Sequence, residues 1–261
     1  MYLILTASKD TYITDKILNN KIRATDANVG RASTLDLFKL YDESTITGSL
    51  KPIELSRLLV KFNLGHLKLL SGSSLDINNP TFNVKMKLCN VGSGQITPRN
   101  FKAAVFPLAR SFDEGSGVDV GAFGHLGACN FITASITNST ANTWYLSGAN
   151  SSGLMGSNDI DIISSGNLGD GNGVVNLWKT QQFDEGTEDL VIDVTNVVSA
   201  TIAGVLPDHG FRISLSGTQE TDSKSRFVKR FGSRHNRNFH LTCGSTTLIV
   251  IHPKINHDNW R

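Results

Sequence analysis

Short stretches of strict apolar and polar alternation constrain this chain more than any other feature. Phe82-Asn-Val-Lys-Met-Lys-Leu puts Phe82, Val84, Met86 and Leu88 on one face and Asn83, Lys85 and Lys87 on the other. The same period of two sets Leu58, Val60, Phe62 and Leu64 inward in Arg57–Leu64, and Leu190, Ile192 and Val194 inward in Asp189–Thr195. It returns in Phe211–Ser216. Successive strand side chains point to opposite faces, so such runs fit half-buried antiparallel strands with one wet face. Two segments depart from the pattern. Leu248-Ile-Val-Ile is apolar throughout and reads as a strand covered on both faces, whereas Leu35–Tyr41 shifts its apolar set from Leu35/Leu37 to Phe38/Leu40, as a β-bulge would.

Gly, Asn, Asp and Ser separate these runs, and only Asn196–Gly204 reads as a short helix. The expected fold is therefore all-β, a sandwich or barrel, with sandwich preferred. Between about residues 115 and 188 the chain is Gly-, Asn- and Ser-rich, with two strand candidates at Phe131–Thr137 and Val174–Trp178. Its apolar content is too low for a separate core, so it reads as long loops on one domain spanning 1–254, followed by a tail at 255–261. Loops of that length inside a compact domain are usually functional or ordered by a partner. Phe-Asp-Glu-Gly occurs twice, at Phe112–Gly115 and Phe183–Gly186, and is read as a repeated turn.

Charge and cysteines bound the partners. A net charge of +2 and a pI near 8.4 fall short of a dedicated nucleic-acid binder, for which domain pI values above about 9 are typical. No apolar run reaches the roughly 18 residues of a membrane helix. The first ten residues carry no basic segment ahead of a signal-peptide core, so the expected site of folding is the cytoplasm. Cys89, Cys129 and Cys243 are odd in number and scattered, which predicts reduced thiols.

Motifs that carry chemistry are sparse. There is no phosphate-binding loop and no G-x-S-x-G elbow. Asp113/Glu114 and Asp184/Glu185 are candidate paired acids for glycan hydrolysis, and solvated turns explain them more simply. His235, His240 and Cys243 have a metal-like spacing, but an extended chain would point them to different faces. Asn158–Asp161 and Gly169–Asn172 could hold a structural calcium ion, although turn chemistry accounts for both. No other cofactor is expected. The basic run Arg226, Lys229, Arg230, Arg234 and Arg237 places its phenylalanines toward a core and its arginines on a sheet surface, as solvated or intramolecular pairs or a subunit interface, with a polyanion contact as the remaining alternative. Trp144, Tyr145 and Trp178 lie in or beside the glycine-rich loops and are the candidate glycan-contacting aromatics.

Several stretches together resemble one family. Lys9-Asp-Thr-Tyr-Ile is followed by Ala27-Asn-Val-Gly-Arg-Ala-Ser-Thr-Leu-Asp and Arg57-Leu-Leu-Val-Lys-Phe-Asn-Leu. Pro207-Asp-His-Gly-Phe, Lys224-Ser-Arg-Phe-Val-Lys-Arg-Phe-Gly-Ser-Arg-His and a last hydrophobic strand, Thr246–Ile251, come later. This order resembles the DNRLRE-type jelly-roll domain over most of the chain outside the glycine-rich middle. Gly210-Phe-Arg-Ile-Ser-Leu-Ser-Gly-Thr-Gln-Glu and Gly171-Asn-Gly-Val-Val-Asn-Leu-Trp look more like its stand-alone form in tailed-bacteriophage virions. The resemblance implies a jelly-roll sandwich that is non-enzymatic, sits on the head, neck or tail of a virion assembled in the host cytoplasm, and forms homo-oligomers that contact other virion proteins. The alternative it implies is a carbohydrate-binding module or host-surface adhesin; a glycan-active enzyme is a minor third.

Overall fold

A computed structural model describes residues 2–19, 21–41, 53–71, 73–92, 98–222, 225–236 and 247–251. In chain order it begins with β1 (Tyr2–Thr14), a short hairpin of β2 (Ile17–Leu18) and β3 (Ile22–Arg23), β4 (Thr34–Tyr41) and β5 (Ile53–Phe62). Helix α1 (Gly65–Ser71) precedes β6 (Asn83–Leu88) and β7 (Phe101–Pro107). The glycine-rich middle supplies β8 (Thr133–Thr137), β9 (Thr140–Thr143), β10 (Ser152–Leu154), β11 (Ile162–Asn167) and β12 (Val174–Asn176). Then come β13 (Lys179–Phe183), β14 (Leu190–Asp193), α2 (Thr195–Ile202), β15 (Phe211–Leu215), α3 (Gly217–Thr221), β16 (Phe227–Gly232) and β17 (Thr247–Ile251).

The fold is all-β, as the alternation predicts. One antiparallel sheet runs β13-β7-β15-β5-β1-β17-β6-β14, and a branch in which β4 joins β5 to β16 completes it. Strand β1 bridges the two halves. Its first residues pair with β17, from Tyr2↔Ile251 to Thr6↔Thr247, and the rest pair with β5, with a register shift between Ala7 and Lys9. A bulge bends and twists a strand. At this point the sheet turns over on itself into the two layers of a sandwich, and its two end strands, β13 and β14, come to face each other.

The space inside the curl is filled by the alternating residues. Leu58 and Val60 of β5, Val84 and Met86 of β6, Phe101 and Val105 of β7, Leu190 of β14 and Ile213 of β15 all share one core. Phe101 and Phe183 stack with ring centroids 4.7 Å apart. Each such side chain contributes about 1.5–3 kcal/mol on leaving water. Helix α2 buries Val197, Val198, Ala200 and Ile202 against this core and stops at Gly204, whose φ of +79° suits the residue after a helix end.

Three expectations need correction. Strand β4 pairs with β16 from Thr34 to Lys39 without a register shift, so it carries no bulge there. Its apolar pattern breaks because Lys39 continues the buried face of Leu35 and Leu37, with its ammonium donating to the Asp222 and Ser225 carbonyls. Next, β5 and β15 lack a wet face. All of β15 is buried, as is β5 from Ser56 to Val60, because the glycine-rich segment lies across that side of the sheet. There it builds a second core from Ile13, Leu59, Leu108, Phe112, Phe131, Trp144 and Ile162. Finally, Cys89 is disulfide-bonded, whereas Cys129 is free and buried. The prediction of reduced thiols throughout therefore fails. Side chains of residues 248–251, the tail at 255–261, His240 and Cys243 lie outside the described residues. Among the described residues, no helix is long and apolar enough to cross a membrane.

Candidate functional site

Two constellations of polar residues stand out, and they have different characters. The first is a knot around Glu114, at the base of the glycine-rich segment. Glu114 Oε1 accepts the Asp10 N–H at 2.8 Å and the Arg234 Nε–H at 2.7 Å, and Oε2 accepts Arg234 Nη2. Its backbone carbonyl accepts Asn28 Nδ2 at 2.8 Å, and the same amide donates to the Cys129 carbonyl. Asn28 Oδ1 in turn accepts the N–H groups of Gly30 and Gly117. Gly30 and Gly117 have to be glycine, since a Cβ on either would lie 1.9 Å from a backbone carbonyl oxygen. Asp10 accepts the Arg234 N–H through Oδ2 while Oδ1 has no partner, and burial pushes its carboxyl up to about 7. The stretches Lys9–Ile13, Ala27–Asp36 and Phe231–His235 thus meet at one turn. Their residues hold strands and loop together.

The second constellation is open. On the outer face of the sheet, Phe106 of β7, Arg212 and Ser214 of β15, and Thr180 of β13 line a cleft of about 430 Å³, with Asn150 and Glu220 at its margin. Alternation puts these residues outward, opposite the core positions Val105 and Ile213. Trp178, 38% exposed, stacks on Phe106 with centroids 5.5 Å apart and planes 16° from parallel. The Arg212 guanidinium lies 5.0 Å from the same Phe106 ring. Arg212 is itself buried; it donates to Ser214 Oγ at 2.9 Å and, at 3.3 Å, to the Ala149 carbonyl and Asn150 Oδ1. Its Nε has no partner. Burial, followed by the neighbouring Arg57 charge, lowers the Arg212 pKa to about 9. The one carboxylate lining this cleft, Glu220, is held by both forks of Arg57 at 3.0 and 2.7 Å. The arrangement offers an aromatic stack beside a buried guanidinium, which suits a ligand with an apolar ring face.

The residues singled out from sequence scatter over both places. Of the three aromatics, only Trp178 reaches the cleft. Trp144 corrects the expectation of an exposed platform: it is 3% exposed and sits in the second core, with its indole N–H on the Asn130 carbonyl at 2.9 Å. Tyr145 is 52% exposed, and its backbone N–H is held by Asp161. In the basic run, Lys229 is buried between the Phe183 and Phe231 rings and donates to Asn90 Oδ1 and to the carbonyls of Gly186 and Glu188. Desolvation lowers its pKa to about 8. Arg230 lies 3.4 Å from Asp36, Arg234 grips Glu114, Arg226 is exposed, and Arg237 is outside the described residues.

The acidic and calcium candidates have structural partners as well. Asp113 accepts the Ile136 N–H, and Glu185 lies 3.4 Å from Arg99. The backbone N–H groups of Asp184 and Glu185 both donate to Glu188. Asp161 uses its two oxygens on the N–H groups of Tyr145, Leu146 and Ser151, and Asp170 accepts from Asn172. Among the described residues, no three His, Cys, Asp or Glu side chains are grouped as a metal site would require. Both Phe-Asp-Glu-Gly copies bury the phenylalanine and turn on a glycine with φ near +77°, the repeated turn that the sequence predicts.

Sequence reasoning missed Phe106, Arg212 and Asn150 as partners of Trp178. The only local signal was an arginine on the polar face of the alternating strand Phe211-Arg-Ile-Ser-Leu, where it reads as solvent-facing. No family model and no curated protein matches the chain.

Proposed function

We propose that this chain is a non-enzymatic structural component of a tailed-phage virion that acts through contacts with further copies of itself and with neighbouring particle proteins. The observation that carries this reading is the distribution of exposed apolar side chains. Of thirteen large hydrophobics exposed among the described residues, eight lie in the glycine-rich segment: Val118, Leu126, Ile132, Tyr145, Leu146, Leu154, Val174 and Trp178. That segment is tied down by Asp161, Asn28 and the second core, so these side chains stand on a fixed surface. Where such side chains adjoin on one face, they form the apolar patch that a neighbouring subunit would cover. The resemblance to virion jelly rolls and a disulfide at Cys89, of a kind that persists on particle surfaces, agree with it.

Sedimentation velocity over a concentration series, together with mass spectrometry of purified particles, tests this reading. A concentration-dependent oligomer that Leu146→Asp weakens, with unchanged circular dichroism, is the expected result. A chain that stays monomeric at every concentration and is missing from particles would overturn it.

A second reading has its own observation. The Trp178–Phe106–Arg212 stack favours a glycan ligand on the outer sheet face, as an adhesin would use. A glycan array is expected to give hits that disappear with Trp178→Ala and persist with Tyr145→Ala.

A further inference from the structure

One buried contact in the molecule holds the parts of a bond-forming reaction. Lys229 of β16 is 1% exposed, and its Nζ lies 2.6 Å from Asn90 Oδ1, although the two residues are 139 positions apart in sequence. The backbone fixes them side by side. Asn90 bridges Phe231, the Val91 N–H donates to the Arg230 carbonyl at 3.0 Å, and the Gly232 N–H donates to the Cys89 carbonyl at 2.9 Å. The Gly186 and Glu188 carbonyls, each 2.8 Å from Nζ, keep the amine in place. A C=O bond is about 1.2 Å long, so Asn90 Cγ is no farther than about 3.8 Å from Nζ. Two groups held that close by the fold react as one molecule, without the entropy cost of an encounter.

The surroundings favour the reactive form of the amine. The Phe183 and Phe231 rings, 5.3 and 5.2 Å from Nζ, are apolar walls beside it. Burial lowers the lysine pKa to about 8, so neutral amine with a free lone pair is populated near neutral pH. Two carboxylates act on the same charge, Glu188 more strongly than Asp189. Asp189 spends Oδ1 on the Asn90 N–H at 2.7 Å and Oδ2 on Lys87 at 3.1 Å. Glu188 gives Oε1 to the N–H groups of Asp184 and Glu185, whereas its Oε2 is buried without a partner. That oxygen is the one open to carry a proton.

We propose that Lys229 and Asn90 join in an intramolecular amide bond that the chain forms on itself. The Nζ lone pair adds to Asn90 Cγ. Glu188 Oε2 takes the proton that Nζ sheds and passes it to Asn90 Nδ2; the Cγ–Nδ2 bond then breaks and ammonia leaves. No oxidant, reductant or cofactor is consumed, and a buried charge gives way to a neutral amide. The bond ties the end of β6 to β16, a strand whose ladder partner is β4. The proposal is independent of the aromatic cleft and of the apolar side chains on the glycine-rich segment.

Mass spectrometry of the full chain, reduced and denatured, tests it. The expected intact mass falls short of the sequence mass by one ammonia, and proteolysis should release a peptide pair joined through Lys229 and Asn90. Asn90→Ala and Lys229→Arg should each abolish the link. Glu188→Gln, which can still accept the two turn N–H groups, should lower the linked fraction several-fold; an undiminished fraction would overturn the proton route. A parent chain at full sequence mass, with Lys229 and Asn90 in separate peptides, would overturn the proposal. So would ammonia loss that maps to a single unlinked asparagine, the product of cyclisation onto its own backbone. The deciding measurement is made on the parent chain and stands even where a variant fails to fold.

Discussion

Arg234 holds Glu114 in a two-pronged grip across 120 residues of sequence, with Nε on Oε1 at 2.7 Å and Nη2 on Oε2 at 2.5 Å. The Glu114 side chain is only 12% exposed, and the Asp10 N–H shares its Oε1. Removing one partner of such a pair leaves the other group desolvated and unmatched. Glu114→Gln is therefore expected to destabilise the chain by about 1–3 kcal/mol in urea denaturation. Hydrogen exchange should quicken first around Asn28, Gly117 and Cys129, which hang on the same turn.

Asp10 gives the fold a pH dependence of definite sign. Burial raises its carboxyl from 3.8 to about 7, so the folded state keeps a proton that the unfolded chain has released. Stability from this group is complete below about pH 4 and declines as pH rises towards 7. Asp10→Asn, which can still accept the Arg234 N–H, should melt higher than the parent at pH 8 and much like it at pH 4. A tenfold change in proton affinity is worth roughly 1.4 kcal/mol, so the gain is a few kcal/mol at most. Equal melting differences at both pH values would refute the assignment.

The two tryptophans should separate cleanly by experiment. Trp144→Ala opens a hole in the second core and is expected to cost about 3–5 kcal/mol. Trp178→Ala removes one half-exposed ring from a stack and should cost about 0.5–1.5 kcal/mol. Chemical denaturation of both variants measures the difference, and similar losses would mean that the two environments are misassigned.

Alanine at Gly117 puts a methyl group 1.9 Å from the Asn28 carbonyl oxygen. No side chain can yield there, because the obstacle is backbone. Gly117→Ala should fail to give soluble folded protein, whereas Gly92→Ala, with open space around it, should melt like the parent.

Thiol chemistry checks the cysteines. Cys129 is fully buried, and burial raises its thiol well above the ordinary value, so native protein should not label at that position. Denaturation without reductant should expose Cys129 to alkylation and leave Cys89 unlabelled until a reductant is added.

What is legible in the sequence follows from where water lies. In β6 and β14 the outer faces stay partly wet, so Lys85 and Val191 alternate with buried Val84 and Ile192 as the pattern says. In β5 and β15 the alternation marks the inner face correctly, but the outer face is sealed by residues distant in sequence: Gly148 lies 91 positions from Arg57, and Ala149 lies 63 from Arg212. Nothing local to Arg57 or Arg212 distinguishes an arginine under a loop from one in solvent. The same reason hides the cleft: Phe106, Arg212 and Trp178 come from three separate stretches. Helices α1 and α3 escape because one or two turns give too short a period to read. Asn28 and Gly30 enter the sequence reading only within the stretch that carries the family resemblance, and the structure supplies their physical role at Glu114.

The second core has an engineering consequence. Surface loops ordinarily tolerate trimming, insertion and swapping, because little depends on what they cover. Here, cutting away the glycine-rich stretch would strip the roof from Ile13, Leu59 and Leu108 and leave Arg57 without its Gly148 acceptor. A minimal version reduced to the bare strands should precipitate, and any cargo grafted onto this scaffold belongs at the β8–β9 tip, where Asn138 and Ser139 are exposed and outside both cores.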